Sequence, residues 1–183
     1  MLARLPPPQK QLLWTCHRCH IFAGDLERYK QQYCTPAGND KEWSRTEAHY
    51  RLAHKLLPAS GNPHNQLAVI ASVQQDLFGA IYRYCRCLMS ESPMAVARDN
   101  LSTLFEKVRL QVAQRLADPG TVALAALKPA DVARDPEAPA AQLLLEWTLL
   151  RLCRCAGMVF TAADLETMPK VLNSLVRDLC KLI

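Results

Sequence analysis

The stretch NPHNQLAVIASVQQDLFGAIYRYCRCLM, residues 62–89, decides the fold. Its apolar residues recur at spacings of three and four, which is typical of helices that bury one face. A break near Asp76 divides the stretch into two predicted helices, 63–75 and 77–89. Residues 62–89 therefore predict a pair of helices joined by a short turn.

An internal repeat extends this pattern along the chain. EAHYRLAHKLL (47–57) aligns with GAIYRYCRCLM (79–89), and this alignment matches Tyr50 with Tyr82. An Ala-x-Tyr helix that ends near a proline and precedes a helix pair is typical of a degenerate tetratricopeptide unit. We therefore predict an all-α fold of stacked antiparallel helix hairpins, an arrangement that presents a concave groove.

Prolines set the predicted domain boundaries. A tetratricopeptide-like helical region covers 9–116, and a Pro-rich linker or loop covers 117–140. A C-terminal helical hairpin follows over 141–183. With 183 residues, of which 50% are hydrophobic and 21% charged, the chain is long enough and apolar enough to bury a sizeable core.

The first ten residues, MLARLPPPQK, contain no apolar run of the kind a signal peptide needs, and no run in the sequence reaches the roughly 18 apolar residues of a membrane span. We therefore expect a cytoplasmic or nuclear protein without a membrane partner. Its eight cysteines would stay reduced there.

The N-terminal stretch WTCHRCHIFAGDLERYKQQYC (14–34) contains Cys-x-x-Cys-His, the attachment pattern of c-type haem and half of many metal sites. Covalent haem attachment normally follows export, and nothing in the sequence directs export. The cysteines also belong to one stripe of an amphipathic helix with 4-3-4-3 spacing: Leu12, Cys16, Cys19, Ala23 and Leu26. We predict core cysteines, no metal and no cofactor, with a metal site or haem as the alternatives.

Four segments carry a family resemblance: AGDLERYKQQ (23–32), YRLAHKLLPASGNPHNQLAVIAS (50–72), AIYRYCRCLMSESP (80–93) and NLSTLFEK (100–107). They resemble the 14-3-3-like region of the SMG and Est proteins, which are adaptors of nonsense-mediated mRNA decay and related telomerase-associated factors. GMVFTAADLETMP (157–169) extends the resemblance towards the branch whose full-length members end in a nuclease domain. The resemblance implies a phosphopeptide-binding adaptor with a 14-3-3-like and tetratricopeptide-like fold.

The resemblance also implies binding residues. GD-x-x-RY is similar to the phosphate-binding helix of 14-3-3 proteins, so Arg28 and Tyr29 would contact a phosphoserine. A guanidinium offers two parallel donors to a phosphate, and a phenol adds a third. Asn65 and Arg86 are further candidates for the groove, although each has a structural alternative, as a turn or cap residue and as a solvated helix residue.

From the residues alone, Arg28 has a second interpretation, in which it pairs with an acid such as Asp25 or Glu27. In the family a second cation comes from a helix before this region, and here the sequence begins just ahead of the Arg-Tyr helix. We expect the upstream helices to be lacking. A single Arg-Tyr site would then reach micromolar binding only if the groove also grips the flanking peptide.

Residues 1–116 carry 15 Lys and Arg against 9 Asp and Glu, which favours an anionic partner. The resemblance implies a phosphorylated protein of the mRNA decay machinery, such as its helicase, and also a paralogous family member. Two alternatives stay open: a telomerase-associated module that binds RNA or single-stranded telomeric DNA, and a helical scaffold that binds proteins without phosphate dependence. The five histidines form no catalytic pattern, so we predict that the chain is not an enzyme.

Overall fold

The computed structural model describes residues 6–36 and 42–183, and within these ranges the chain forms helices and no strand. The prediction of an all-α fold is confirmed. The α-helices are α1 (Pro7–Tyr29), α2 (Ser44–Leu56), α3 (Asn62–Val73), α4 (Leu77–Leu88), α5 (Val96–Leu116), α6 (Pro119–Ala123), α7 (Pro129–Arg134), α8 (Pro139–Thr161) and α9 (Met168–Leu182). A π-helical turn extends α1 over Lys30–Cys34, and 3₁₀ turns cover Leu124–Ala126 and Leu165–Thr167. None of the helices in the described ranges is long and apolar enough to cross a membrane.

The chain divides into two compact units, unit 1 (Met1–Asp99) and unit 2 (Asn100–Ile183). The predicted boundaries of 9–116, 117–140 and 141–183 stay a prediction. Within the predicted linker the structure places α6, α7 and the 3₁₀ turn between them.

Unit 1 consists of two antiparallel helix hairpins, α1 with α2 and α3 with α4, and α2 also packs on α3. Its core is a cluster of buried side chains: Ile21, Trp43, Tyr50, Ala53, Leu67 and Ile70. The second hairpin turns sharply at Asp76, whose carboxylate caps α4 by accepting a hydrogen bond of 2.8 Å from the Gly79 N–H. Backbone hydrogen bonds join the turn between α2 and α3 to the segment after α4. The Gly61 N–H donates to the Ser92 carbonyl oxygen, and the Ser92 N–H donates to that of Ala59, each at 2.9 Å.

The internal repeat is present in the structure in a different register from the predicted one. The residues that α2 buries are Thr46, Tyr50 and Ala53, and those that α4 buries include Ala80, Tyr84 and Cys87. The buried faces therefore pair Tyr50 with Tyr84, whereas the predicted alignment pairs the fully buried Tyr50 with Tyr82, which is 49% exposed. The predicted register is wrong because it matches identical amino acids in the two segments and not the residues that the two helices bury. The spacing from Tyr50 to Tyr84 corresponds to the tetratricopeptide period of about 34 residues.

Helix α1 buries a different stripe from the one predicted. Its buried residues are His17, Ile21 and Gly24, while Cys16 is half-buried and Cys19 is exposed. The imidazole Nδ1 of His17 lies 2.9 Å from the Ala53 carbonyl oxygen of α2, which fixes the facing side. The prediction of core cysteines on α1 is therefore wrong.

Unit 2 is built around α8 and α9, which pack against each other, with α7 packed on α9. Its buried apolar side chains include Phe105, Leu144, Trp147, Met158 and Leu175. Gly157 lies against Phe105, where a Cβ atom would come within 2.9 Å of the ring. Three charged side chains, Arg151, Asp178 and Lys181, are also buried in this unit.

Candidate functional site

Arg28 lies near the C-terminal end of α1, one helical turn beyond Gly24. At this position on the helix the guanidinium of Arg28 points towards α2, and the side chain is only 12% exposed. The buried stripe of α1 ends at Gly24, and Arg28 continues the same face of the helix one turn further on.

Three side chains form a connected network, which we call the Arg28 network: Arg28, Asp25 and Tyr50. The Arg28 Nη2 is 3.2 Å from the Asp25 carboxylate, and its Nε donates to the Tyr50 hydroxyl at 3.4 Å. The Tyr50 hydroxyl donates in turn to the same carboxylate oxygen at 2.8 Å. Arg28 therefore does pair with Asp25, as the second interpretation of the sequence had it, whereas Glu27 lies 3.9 Å from Lys30.

Tyr29 adds an accessible phenol beside this network. Its side chain is 47% exposed, and the Arg28 guanidinium carbon lies 4.4 Å from its ring centroid. This distance permits a cation–π contact. The exposed phenol and the adjacent guanidinium together form a polar surface near the end of α1. Their contact with a phosphate stays a prediction.

Electrostatics favour the charged form of Arg28 and the protonated form of Tyr50. Burial is the largest influence on Arg28 and disfavours its charge, but hydrogen bonds with Tyr50, Tyr29 and Asp25 outweigh it and raise the pKa of Arg28. Burial also raises the pKa of Tyr50, so its hydroxyl keeps the proton that it donates to Asp25. Arg28 therefore stays charged and Tyr50 stays protonated across the physiological pH range.

Gly24 lies directly against the Tyr50 ring of α2. A Cβ atom at Gly24 would lie 2.5 Å from Cε1 of Tyr50. Only glycine lets the ring pack this close to α1, and this packing places the Tyr50 hydroxyl between Asp25 and Arg28.

Replacing Tyr50 by phenylalanine is expected to lower the free energy of unfolding by about 2 kcal/mol, because a hydrogen bond to a charged carboxylate is lost in a buried position. We also expect a several-fold loss of phosphopeptide affinity, since Arg28 would no longer be held. Urea denaturation and fluorescence anisotropy measure the two effects. Tyr82→Phe on the exposed face of α4 is the matched control and should change neither quantity.

The structure does not join the two lower-ranked candidates to Arg28. Asn65 is 5% exposed, and its Oδ1 is buried without a hydrogen-bond partner in the described part of the chain. Arg86 is exposed on α4. Hydrogen bonds and ion pairs among residues 6–36 and 42–183 connect neither side chain to the Arg28 network, so their place in a groove stays a prediction.

Sequence reasoning missed a cluster of histidines and arginines around the turn between α2 and α3. The rings of His54 and His64 lie 4.6 Å apart, and Arg83 is 3.5 Å from Nδ1 of His64. Burial is the main reason that the pKa of His64 is lowered to about 4, and the charges of His54, Arg83 and Arg86 add to it. The available signal was that His54 and His64 flank one short turn in a helix stack.

A metal site finds no support in the described ranges, where no three side chains of His, Cys, Asp or Glu come together to hold an ion. The cysteines there are free, and they differ in environment from the buried Cys87 to the exposed Cys34. Burial raises the pKa of Cys85 and Cys87, so these thiols stay protonated.

The buried residues of α2 and α4 are spaced as in tetratricopeptide repeats. The two hairpins of unit 1 therefore define a helical-repeat protein of the tetratricopeptide kind. The family model for the Est1 DNA/RNA-binding domain matches residues 46–183 of the chain. The chain therefore belongs to the family of SMG and Est proteins, and the resemblance inferred from its motifs is confirmed.

Several curated relatives are similar to the chain. It is 36% identical over 190 residues to the nonsense-mediated mRNA decay factor SMG7 of Arabidopsis thaliana, an alignment that covers 95% of this chain and 18% of the relative. It is 37% identical over 101 residues to SMG5 of Homo sapiens, covering 54% of this chain and 10% of the relative. It is 31% identical over 105 residues to the telomerase-binding protein EST1A of Danio rerio, an alignment that covers 57% of this chain and 6% of the relative. The chain thus spans less than a fifth of each of these relatives.

Proposed function

We propose that this chain is a phosphoserine- and phosphothreonine-binding adaptor of nonsense-mediated mRNA decay, and that Arg28 and Tyr29 receive the phosphate. The observation that carries the proposal is the fixed guanidinium of Arg28 beside the half-exposed phenol of Tyr29. These two groups supply the donors that a phosphate dianion requires.

The hydrogen bonds that Arg28 makes within the chain do not use all of its N–H donors. A guanidinium has five N–H donors. One is directed to Tyr50, one to Gln32 at 3.4 Å and one to Asp25. A further one is directed to Tyr29, so that one remains. A phosphoserine carries roughly −1.5 to −2 charges at neutral pH, more than the single charge of the Asp25 carboxylate, and can therefore compete for the same cation.

The names of the relatives support the pathway. SMG7 and SMG5 are named as factors of nonsense-mediated mRNA decay. By family membership, the partner is a phosphorylated protein of that machinery, or a paralogous member of the family. The chain would act in the cytoplasm, the nucleus or both, by binding rather than by catalysis.

Replacing Arg28 by glutamate is expected to weaken phosphopeptide binding at least about 30-fold, because it removes two charge-assisted hydrogen bonds and adds a repulsive charge. A library of fluorescent phosphoserine and phosphothreonine peptides, with its unphosphorylated twin, measures the effect by anisotropy. Arg18→Glu makes the same charge change at an exposed position of α1 and should bind as the unaltered chain does. Equal binding by Arg28→Glu would refute the proposal, provided that its circular dichroism is unchanged.

A second candidate function is the binding of RNA or single-stranded DNA. The description of the matching family model as a DNA/RNA-binding domain favours it, as does the basic excess in residues 1–116. Affinity for an oligonucleotide would then fall steeply with salt, because counterions are released on binding. Oligonucleotide binding that Arg28→Glu leaves unchanged would separate this function from the phosphopeptide site.

A further inference from the structure

Seven large apolar side chains of unit 2 lie exposed on α8 and α9. Those on α8 are Leu145, Leu149, Leu152 and Val159, and those on α9 are Leu172, Val176 and Leu179. Neighbouring members are three, four or seven residues apart, so each set follows one stripe of its helix. Their exposed fractions range from 37% for Leu149 to 64% for Val159. Each helix therefore presents an apolar stripe to solvent.

The two stripes lie on the same side of the helix pair. α8 and α9 are consecutive helices that pack on each other across a short connection, so they run in opposite directions. Arg151 of α8 is bonded to Asp178 of α9, which shows that these residues face each other. Leu152 and Leu179 each follow one of them by a single residue, a rotation of about 100° around the helix axis. Because the helices are antiparallel, equal rotations bring both leucines to one side, and we call the surface of the seven side chains the α8–α9 face.

The exposed charges of α8 and α9 lie away from this face. Among the described residues 145–159, Glu146 is exposed and charged, and it pairs with Arg115 of α5 at 3.5 Å. On α9, Lys170 and Arg177 line a cavity together with Val112 of α5, and none of the seven apolar side chains lines that cavity. The α8–α9 face therefore suits an apolar occupant rather than an ion. A contiguous apolar surface of this kind typically marks an interaction site.

The area of the face fits a second copy of the chain. From their exposed fractions, the seven side chains leave roughly 600 Å² accessible, so two copies would bury about 1,200 Å², the lower end of the range for stable interfaces. A two-fold interface brings the same patch of both copies together, and an uncharged patch can do so without repulsion between like charges. The 4-3 spacing of Leu145, Leu149 and Leu152 is also that of the seams in four-helix bundles.

We propose that the chain forms a homodimer through the α8–α9 face, in which the α8–α9 pairs of two copies build a four-helix bundle. The face lies in unit 2, and the dimer does not depend on the phosphate site in unit 1. For an interface at the lower end of the size range we expect a dissociation constant on the order of 10 µM.

Sedimentation velocity of the full chain between about 1 and 100 µM, on either side of that constant, tests the proposal. We expect the mass to rise from that of one chain to that of two. Leu149→Glu/Val176→Glu would bury unpaired carboxylates in the interface and should raise the dissociation constant at least about 30-fold. Leu52→Glu/Val73→Glu makes the same changes at exposed positions of α2 and α3, and this control should dimerise as the unaltered chain does.

Hydrogen exchange of the unaltered chain gives a second readout that needs no variant. Amides of α8 and α9 should be better protected at about 100 µM than at about 1 µM, whereas those of α2 and α3 should not change. A chain that keeps the mass of a monomer throughout, or a dimer that survives Leu149→Glu/Val176→Glu, would overturn the proposal. A monomer that binds phosphatidylcholine vesicles through this face would overturn it as well, because the occupant would then be a membrane surface.

Discussion

Acidification from pH 6.5 to pH 4 is expected to lower the free energy of unfolding of unit 1 by on the order of 3 kcal/mol, mainly through His64. The pKa of this side chain is lowered from 6.5 to about 4 in the folded chain. The unfolded chain therefore binds more protons between these two pH values, and stability falls as pH falls. Above pH 6.5 the contribution is fully present, and it is lost towards pH 4.

The environment of His64 explains the size of the effect. The side chain is 4% exposed, Nε2 is buried without a hydrogen-bond partner in the described part of the chain, and Arg83 lies beside the ring. A proton on His64 would add a buried cation next to existing ones. The pKa of His54 is lowered for the same reasons, with burial as the largest, so it acts in the same direction.

Hydrogen-exchange protection of the α3 amides at pH 6.5 and pH 4.5, corrected for intrinsic exchange rates, measures this loss. His64→Gln should remove most of the pH dependence, whereas His49→Gln, which leaves the pair with His54 in place, should keep it. A pH dependence that persists unchanged in His64→Gln would show that another group is responsible.

Replacing Gly24 by alanine is expected to destabilise unit 1 by about 2 kcal/mol. Alanine is favoured over glycine in a helix by about 1 kcal/mol, so the substitution would be stabilising if the site were open. The new Cβ atom, however, would lie within 3 Å of three Tyr50 ring atoms, and Tyr50 has no exposed surface into which it can move. Overpacking of a well-packed core costs about 1–3 kcal/mol or more and outweighs the gain in propensity.

The same substitution should also weaken phosphopeptide binding, because displacing the Tyr50 ring moves its hydroxyl away from Asp25 and Arg28. Urea denaturation and peptide anisotropy measure the two effects in one protein. Gly120→Ala is the control, since its Cβ atom would meet only the flexible Asp118 side chain in unit 2. An unchanged or increased stability of Gly24→Ala would contradict the packing described for α1 and α2.

The helices were predictable from the sequence because their apolar spacing is strong. The predicted helices 63–75 and 77–89 correspond to Asn62–Val73 and Leu77–Leu88. The register of the repeat was not predictable in this way, because Tyr82 and Tyr84 are both aromatic and only packing distinguishes the buried one. The same limit applies to α1, where two adjacent stripes are compatible with burial and the contact with α2 selects the stripe of His17 and Ile21.

The candidate site was predictable only in part. The motif GD-x-x-RY pointed to Arg28 and Tyr29, and the structure places their side chains side by side. The Tyr50 hydroxyl, which connects Asp25 and Arg28, comes from another helix, so only tertiary structure could reveal it. The closeness of His54 and His64 was hidden for the same reason, since it depends on how α2 and α3 pack.

The most direct test of the phosphate site is the Nε–H resonance of Arg28, observed by NMR while a pool of phosphoserine peptides is titrated into the chain. The resonance is assigned by its absence in Arg28→Lys. We predict that it shifts with the phosphorylated pool and stays in place with the unphosphorylated pool. A resonance that responds to neither pool, or equally to both, would contradict phosphate recognition by Arg28.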